Sequence, residues 1–130
     1  MSIADRDKMD AIPWLRLLNS LDYHLWATSG TAALIKGLGI PVTEVNKADG
    51  PTPNAITVIE DGIVHSVVNT VEETAIAMRD GFDIRRTATQ RRIPCYTSID
   101  TARVAVEALA FGGTNYQVKT YSQYLLDKND

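Results

Sequence analysis

The sequence predicts an α/β domain, a parallel sheet covered by helices on both faces, and three observations predict it. Apolar periodicity alternates between short strand-like runs and amphipathic helical stretches, five times over 130 residues. Turn and cap residues such as Gly39, Pro41, Asn54 and Gly62 fall between those runs. The composition, 45% hydrophobic and 22% charged, is that of a chain that buries a core.

Taken in order, residues 2–4 read as a first strand that starts abruptly, as in a domain excised from a longer polypeptide. A helix is expected over residues 8–21, with Met9, Ile12, Leu15, Leu17 and Leu18 on its apolar face. Residues 24–27 form the second strand, residues 31–38 a helix stopped by Gly39, and residues 42–45 a third strand opened by Pro41. Residues 47–53 have loop composition; Asn54 then caps a short helix through Glu60, and Asp61 with Gly62 turns the chain. Residues 63–68 read as a buried strand, and residues 73–91 as mostly helical with a break near Gly81. The last core strand is residues 95–97, and Ser98 opens a closing helix through Ala110. From about residue 112 an irregular tail is expected, with an extended piece at residues 116–119. No repeat, low-complexity tract or long linker divides the chain, so residues 1–130 are expected to form one domain.

Net charge is −3, with 13 basic residues interspersed among 16 acidic ones, which leaves no broad positive field for a nucleic-acid polymer. A single cysteine, Cys95, excludes an internal disulfide, and His24 and His65 are a thin supply for a zinc site. A reducing cytoplasm is the expected compartment, without metal. No apolar run approaches the roughly 18 residues of a membrane span, so no membrane association is expected.

Open α/β sheets bind ligands outside the carboxyl ends of their strands. Four such ends carry polar groups: Lys8 after the first strand, Thr28, Ser29, Gly30 and Thr31 after the second, Asn46 and Lys47 after the third, Asn69 and Thr70 after the fourth. Two hydroxyls, a glycine and a helix amino terminus at residues 28–31 make an anion cradle, while ordinary capping by Ser29 or Thr31 explains the same residues. Lys8 and Lys47 add ammonium donors or are solvated lysines; Asn69 reads a ligand hydroxyl or carbonyl, or caps the next helix. Arg85 and Arg86 read as solvated partners of Asp80 and Asp83, His65 as a sheet histidine, His24 as a surface residue, and Cys95, Trp14 and Trp26 as packing residues.

One ordered set of motifs carries a family resemblance. It comprises Ala27-Thr28-Ser29-Gly30-Thr31-Ala32, Val45-Asn46-Lys47, Val68-Asn69-Thr70, Ile84-Arg85-Arg86-Thr87-Ala88 and Ile93-Pro94, followed by Thr97-Ser98-Ile99-Asp100-Thr101-Ala102. From residue 2 to about residue 124 the chain resembles the methylglyoxal-synthase-like domain, and more narrowly the carboxyl-terminal allosteric domain of carbamoyl phosphate synthetase large subunits. The resemblance implies a three-layer, Rossmann-like α/β/α sandwich with a five-stranded parallel sheet of order 3-2-1-4-5. It implies a terminal piece of a ligase of pyrimidine and arginine biosynthesis that uses ATP and magnesium, the domain itself having neither cofactor nor catalytic residues. Its partners would be the rest of the large subunit, the small subunit and further copies of itself.

Such domains bind small anionic effectors, uridine or inosine monophosphate (UMP, IMP) in many bacterial enzymes and N-acetylglutamate in the animal mitochondrial form. The family's phosphate-binding threonines fall on Thr28 and Thr31, around Ser29 and Gly30; its lysines fall on Lys8 and Lys47, and its sugar- or base-side residues on Asn69 and Thr70. Two departures stand out. Val71-Glu72-Glu73 follows where nucleotide-regulated members often carry small residues and then a basic one, and two carboxylates oppose phosphate. The loop after Lys47 lacks the tryptophan of the acetylglutamate-binding form. A module that serves only assembly is the alternative. Methylglyoxal synthase catalysis needs Gly-Gly-Asp after the third strand and Asp-Pro with a nearby histidine after the fourth; here stand Gly50-Pro51-Thr52-Pro53 and Asn69-Thr70-Val71.

Overall fold

Four short strands alternate with helices in the computed structural model, which describes residues 1–112. In chain order the elements are α1 (Lys8–Ser20), β1 (Trp26–Thr28), α2 (Ser29–Gly37), β2 (Thr43–Val45), α3 (Ala55–Glu60), β3 (Val67–Val68), α4 (Ala75–Gln90), β4 (Cys95–Tyr96) and α5 (Ile99–Gly112). A turn of 3-10 helix, Asp5–Asp7, leads into α1.

β1 pairs in parallel with β2, and β3 in parallel with β4. These are two two-stranded sheets rather than the single five-stranded sheet expected. Met1 and Ser2 lie between them: Ser2 N donates to Val68 O (2.9 Å) and Thr70 N to Ser2 O (3.0 Å), while the Met1 amine donates to Trp26 O and Thr28 N to Met1 O (3.2 Å). The ladder ends there. Ile3 N donates to Thr31 Oγ1 (2.9 Å) and Ala4 N to Thr70 Oγ1 (2.8 Å), so side-chain hydroxyls take the amides that strand carbonyls would otherwise accept. Residues 2–4 therefore make one bridge, Ser2 with Asn69, in place of the expected strand.

Two apolar clusters flank the strands. α1 buries Ala11, Trp14, Leu15 and Leu18, the one-face spacing of a 3.6-residue period, together with Ala32 and Ile35 of α2 and Ala102 and Val106 of α5. Met9, expected on that face, is 75% exposed because the helical period turns it to the opposite side of α1. The second cluster joins Ala55 and Ile59 of α3 to Ile84 and Ala88 of α4. Val68 belongs to the first cluster and Val67 to the second, since neighbours in an extended strand point to opposite faces.

Three other expectations change. Residues 63–66 carry no strand pairing, which starts only where Val67 N donates to Pro94 O (2.8 Å); Ile63 and His65 are exposed outside the sheets. α4 runs without a break through Gly81, capped at its start by the Thr74 hydroxyl accepting from Ala77 N (3.2 Å). α2 starts at Ser29, two residues earlier than expected. The expected irregular tail beyond Gly112, with its extended piece, lies outside the described residues. No helix among the described residues is long and apolar enough to cross a membrane.

Removing the Thr31 hydroxyl strands the buried Ile3 amide, so Thr31→Val is expected to cost about 1–3 kcal/mol in denaturant unfolding of the ligand-free chain. Stability unchanged within a few tenths of a kcal/mol would contradict the contact.

Candidate functional site

The ends of β1 and β3, the start of α2 and one side of α4 enclose a cleft of about 430 Å³. All eight residues singled out from the sequence line it: Lys8, Thr28, Ser29, Gly30, Thr31, Lys47, Asn69 and Thr70. Three of them are also engaged within the protein. Thr31 and Thr70 are 2% and 5% exposed, and their hydroxyl oxygens accept from the Ile3 and Ala4 amides, so neither caps a helix. Thr28 donates to the Ser2 hydroxyl (3.1 Å). It stands at the N-cap of α2 in extended conformation without capping it through its side chain.

The capping explanation offered for Ser29 or Thr31 is thereby displaced for Thr31, and the α2 amino terminus faces the cleft with no side-chain cap from Thr28, which holds the N-cap position. Helix amino termini favour negative charge. Lys8 reinforces this: a Cβ built on Gly30 would stand 3.3 Å from its ammonium, so glycine lets the cation approach the first turn of α2. Lys8 is also ion-paired with Asp5. Lys47 reaches the cleft from a fastened loop. Asn46 N donates to Pro53 O (3.0 Å), Asn46 Nδ2 to Pro51 O (2.8 Å), and Asn54 Nδ2 to Gly50 O (2.8 Å). Asn54 also caps α3 by accepting from Ile56 N and Thr57 N.

Asn69, 4% exposed, leaves its Nδ2 without a hydrogen-bond partner. It does not open the next helix, whose cap is Thr74. Its amide nitrogen lies 3.0 Å from where a Cβ on Gly81 would be, beside Val71 Cγ2 (2.8 Å) and an Arg85 guanidinium nitrogen (3.3 Å). Arg85 is thus partly buried against Gly81, not solvated as the charge run implied. A buried donor lacking an acceptor is costly, and a ligand acceptor would relieve it.

On the acidic side of this cleft the sequence pointed to Glu72, which lines it, and missed Asp5 and Asp80, which join it there. Glu72 accepts from Asp5 N (2.6 Å) and lies 4.0 Å from Arg6; Glu73 does not line the cleft. The Asp80 carboxyl is pushed up by desolvation and then by the Asp49 charge, with Lys47 opposing. Asp80 stands four positions before buried Ile84 on α4, the one-face spacing that could have supplied the signal.

Both histidines lie elsewhere. With Trp14, Trp26 and Ile63 they line an apolar cavity of about 390 Å³ at the amino-terminal ends of the strands, and His24 Nε2 is 2.9 Å from Thr43 Oγ1. Cys95 is half-buried, and that burial pushes its thiol up, away from the thiolate a nucleophile needs. Among the described residues no cluster of His, Cys, Asp and Glu could hold a metal ion.

Residues 10–97 match the family model of the MGS-like domain. Similar proteins include the carbamoyl phosphate synthase large chain, C-terminal section, of Methanopyrus kandleri, 40% identical over 109 residues that make up 84% of this chain and 20% of that one. The carbamoyl phosphate synthase large chain of Thermomicrobium roseum is 40% identical over 126 residues, 95% of this chain and 12% of that one. That of Ralstonia nicotianae is 42% identical over 109 residues, 84% and 10% respectively. The chain therefore spans between 10% and 20% of the length of these curated relatives.

Gly81 tests the cleft floor. In a helix interior Gly→Ala usually gains up to about 1 kcal/mol, whereas overpacking costs about 1–3 kcal/mol. A Cβ 2.8 Å from Val71 Cγ2 makes the second effect win, so Gly81→Ala should lower the melting temperature, and an unchanged or raised one would contradict the packing.

Proposed function

The chain belongs to the MGS-like domain family, and we propose that it is the carboxyl-terminal regulatory domain of a carbamoyl phosphate synthase large chain, binding a small anionic effector at the cleft. On this reading its strands, with Met1 and Ser2 between the two pairs, belong to one parallel sheet of order 3-2-1-4-5, whose first strand is represented only by the Ser2 bridge. The observation that carries the reading is the convergence on one cleft of the α2 amino terminus, Lys47 and the unpartnered amide of Asn69. Its volume, about 430 Å³, falls within the roughly 300–1,000 Å³ of small-molecule sites.

Each group has a part. The α2 terminus and the Lys8 and Lys47 ammonium groups receive a phosphate or carboxylate, Ser29 and Gly30 supplying the open turn around it. Asn69 and the Thr70 backbone meet the sugar or base of a nucleoside monophosphate such as UMP or IMP. Thr28, Thr31 and Thr70 act chiefly by holding the amino-terminal segment that shapes the wall. The cleft has no histidine in its lining, which favours binding over proton-transfer chemistry of the methylglyoxal synthase kind. The synthase's other parts, its ATP and magnesium, its small subunit and further copies of this domain, are the partners this reading assigns.

Lys47 makes no ion pair among the described residues and is exposed on its loop, so its loss reports on ligand rather than on folding. Calorimetry with UMP, IMP, N-acetylglutamate and inorganic phosphate should find a ligand binding below millimolar concentration. Lys47→Ala should weaken it by roughly tenfold or more, the loss of a charged donor being worth about 1.5–3 kcal/mol. No binding below millimolar, or an affinity indifferent to Lys47→Ala, leaves the assembly-only module standing.

A further inference from the structure

At the amino-terminal ends of the strands, away from the cleft, a gap separates β1 from β3. Met1 and Ser2 are hydrogen-bonded to β1 on one side and to β3 on the other, so the space beyond them is one strand wide. Backbone donors face it. In a parallel ladder the N–H and C=O of one residue point to the same neighbour. Trp26 O accepts from the Met1 amine and Val68 O from Ser2 N, so the Trp26 and Val68 amides point into this gap. The nearest carbonyls are taken, Met1 O by Thr28 N and Ser2 O by Thr70 N. Val68 is buried, and a buried amide without an acceptor costs free energy comparable to a lost hydrogen bond.

Apolar cavities lie on both faces of the gap. The one of about 390 Å³ is closed by Trp14 and Leu18 of α1 and Val106 of α5, and a smaller one of about 30 Å³ by Val58 of α3 and Ile84 of α4. Met1, Trp26, Ser66 and Val68 line both. Side chains of an extended strand alternate between two faces, and Met1 and Ile3 already pack on the α1 side. A strand continuing their course would turn the second residue before Met1 to the larger cavity and the first to the smaller. Trp14 Nε1, on the lining of the larger cavity, is a further buried donor without a partner. A small apolar molecule would fill the volume and leave the donors unmet, whereas polypeptide carries a carbonyl at every residue.

We propose that this gap seats the polypeptide that leads into Met1 in a synthase large chain: an apolar, extended strand, parallel to β1 and β3, whose carbonyls accept from the Trp26 and Val68 amides and which joins the two strand pairs into one sheet. This rests on the reading of the chain as the carboxyl-terminal part of that larger protein, of whose length it spans between 10% and 20% in the relatives compared. Covalent continuity with the Met1–Ser2 ladder favours this source over a second copy or residues 113–130, because it fixes direction and register without a separate docking step. One strand would then run from the rest of the synthase to Ile3 and Ala4 at the cleft wall, so the linker and a ligand in the cleft would act on the same backbone.

The test is amide hydrogen exchange by NMR, with thermal unfolding, on the full chain and on the chain extended ahead of Met1 by Val-Leu-Val, by Leu-Val-Leu-Val-Leu-Val, or by Gly-Ser residues of the same lengths. The two residues nearest Met1 carry the acceptor carbonyls, so the shorter apolar extension suffices if the longer one aggregates. Either should slow exchange at Trp26 and Val68 at least about tenfold relative to the Thr43 and Asn69 amides, which already donate to Leu25 O and Tyr96 O, and should raise the melting temperature. The Gly-Ser extensions should leave both readouts near those of the parent chain. Apolar extensions that change neither readout overturn the inference, as do Gly-Ser extensions that protect the two amides equally well. Amides already protected in the dilute parent chain overturn it in favour of an acceptor within the chain, and protection that grows with parent concentration overturns it in favour of a second copy. Calorimetry with UMP, IMP and phosphate on the same variants separates this inference from the effector reading. Amides protected without any ligand bound uphold the strand seat while the effector site fails; a ligand bound without protection upholds the effector site and overturns the seat.

Discussion

Everything around the cleft depends on how four residues at the start of the chain satisfy their backbone. Met1 and Ser2 hydrogen-bond to β1 on one side and to β3 on the other, and they are the link between two otherwise separate strand pairs. The next two amides are buried, and a buried amide without an acceptor costs free energy comparable to a lost hydrogen bond. Thr31 and Thr70 supply the acceptors. Because these two threonines stand at the start of α2 and just beyond β3, the same bonds that bury Ile3 and Ala4 also set the separation between the cleft's two sides.

That arrangement gives Thr31 and Thr70 a structural task at the wall of the cleft. A residue at a strand end that lines a cleft invites a binding role, yet Thr31 is almost wholly covered and engaged with backbone. The groups left for chemistry are fewer: the amino terminus of α2, the ammonium groups of Lys8 and Lys47, the amide of Asn69 and the carboxylate of Asp80. They come from different segments of the chain. Only the parallel pairing of the strands brings those segments to one end.

Local regularities were legible in the sequence, and long-range contacts were not. The 3.6-residue spacing of α1, the Asn54 cap of α3 and the strand-to-helix turn at Thr28 are properties of neighbouring residues and could be read directly. Residues 63–68 look like one strand because apolar residues begin and end the run, but pairing needs a partner, and β4 begins only opposite Val67. Gly81 looks like a break because glycine weakens helices; its use is to admit Val71, Asn69 and Arg85, which arrive from elsewhere or from the next turn. The eight candidate residues converge because strand ends do, whereas Asp80 and Arg85 were hidden in a charged helix whose facing side depends on its neighbours.

The two asparagines that fasten residues 47–53 bear on the cleft's energetics. Asn46 and Asn54 fix the loop to itself and to the start of α3 before any ligand arrives, and Gly50 N closes it further on Lys47 O (2.9 Å). A cation carried on a wandering loop would have to be ordered at each encounter, and that loss of freedom would be deducted from affinity. Here the ordering accompanies folding itself, so the backbone that carries Lys47 is already in place when a ligand arrives. The loop is in this sense part of the cleft's stiffness, held by turn residues that do their work before anything is bound.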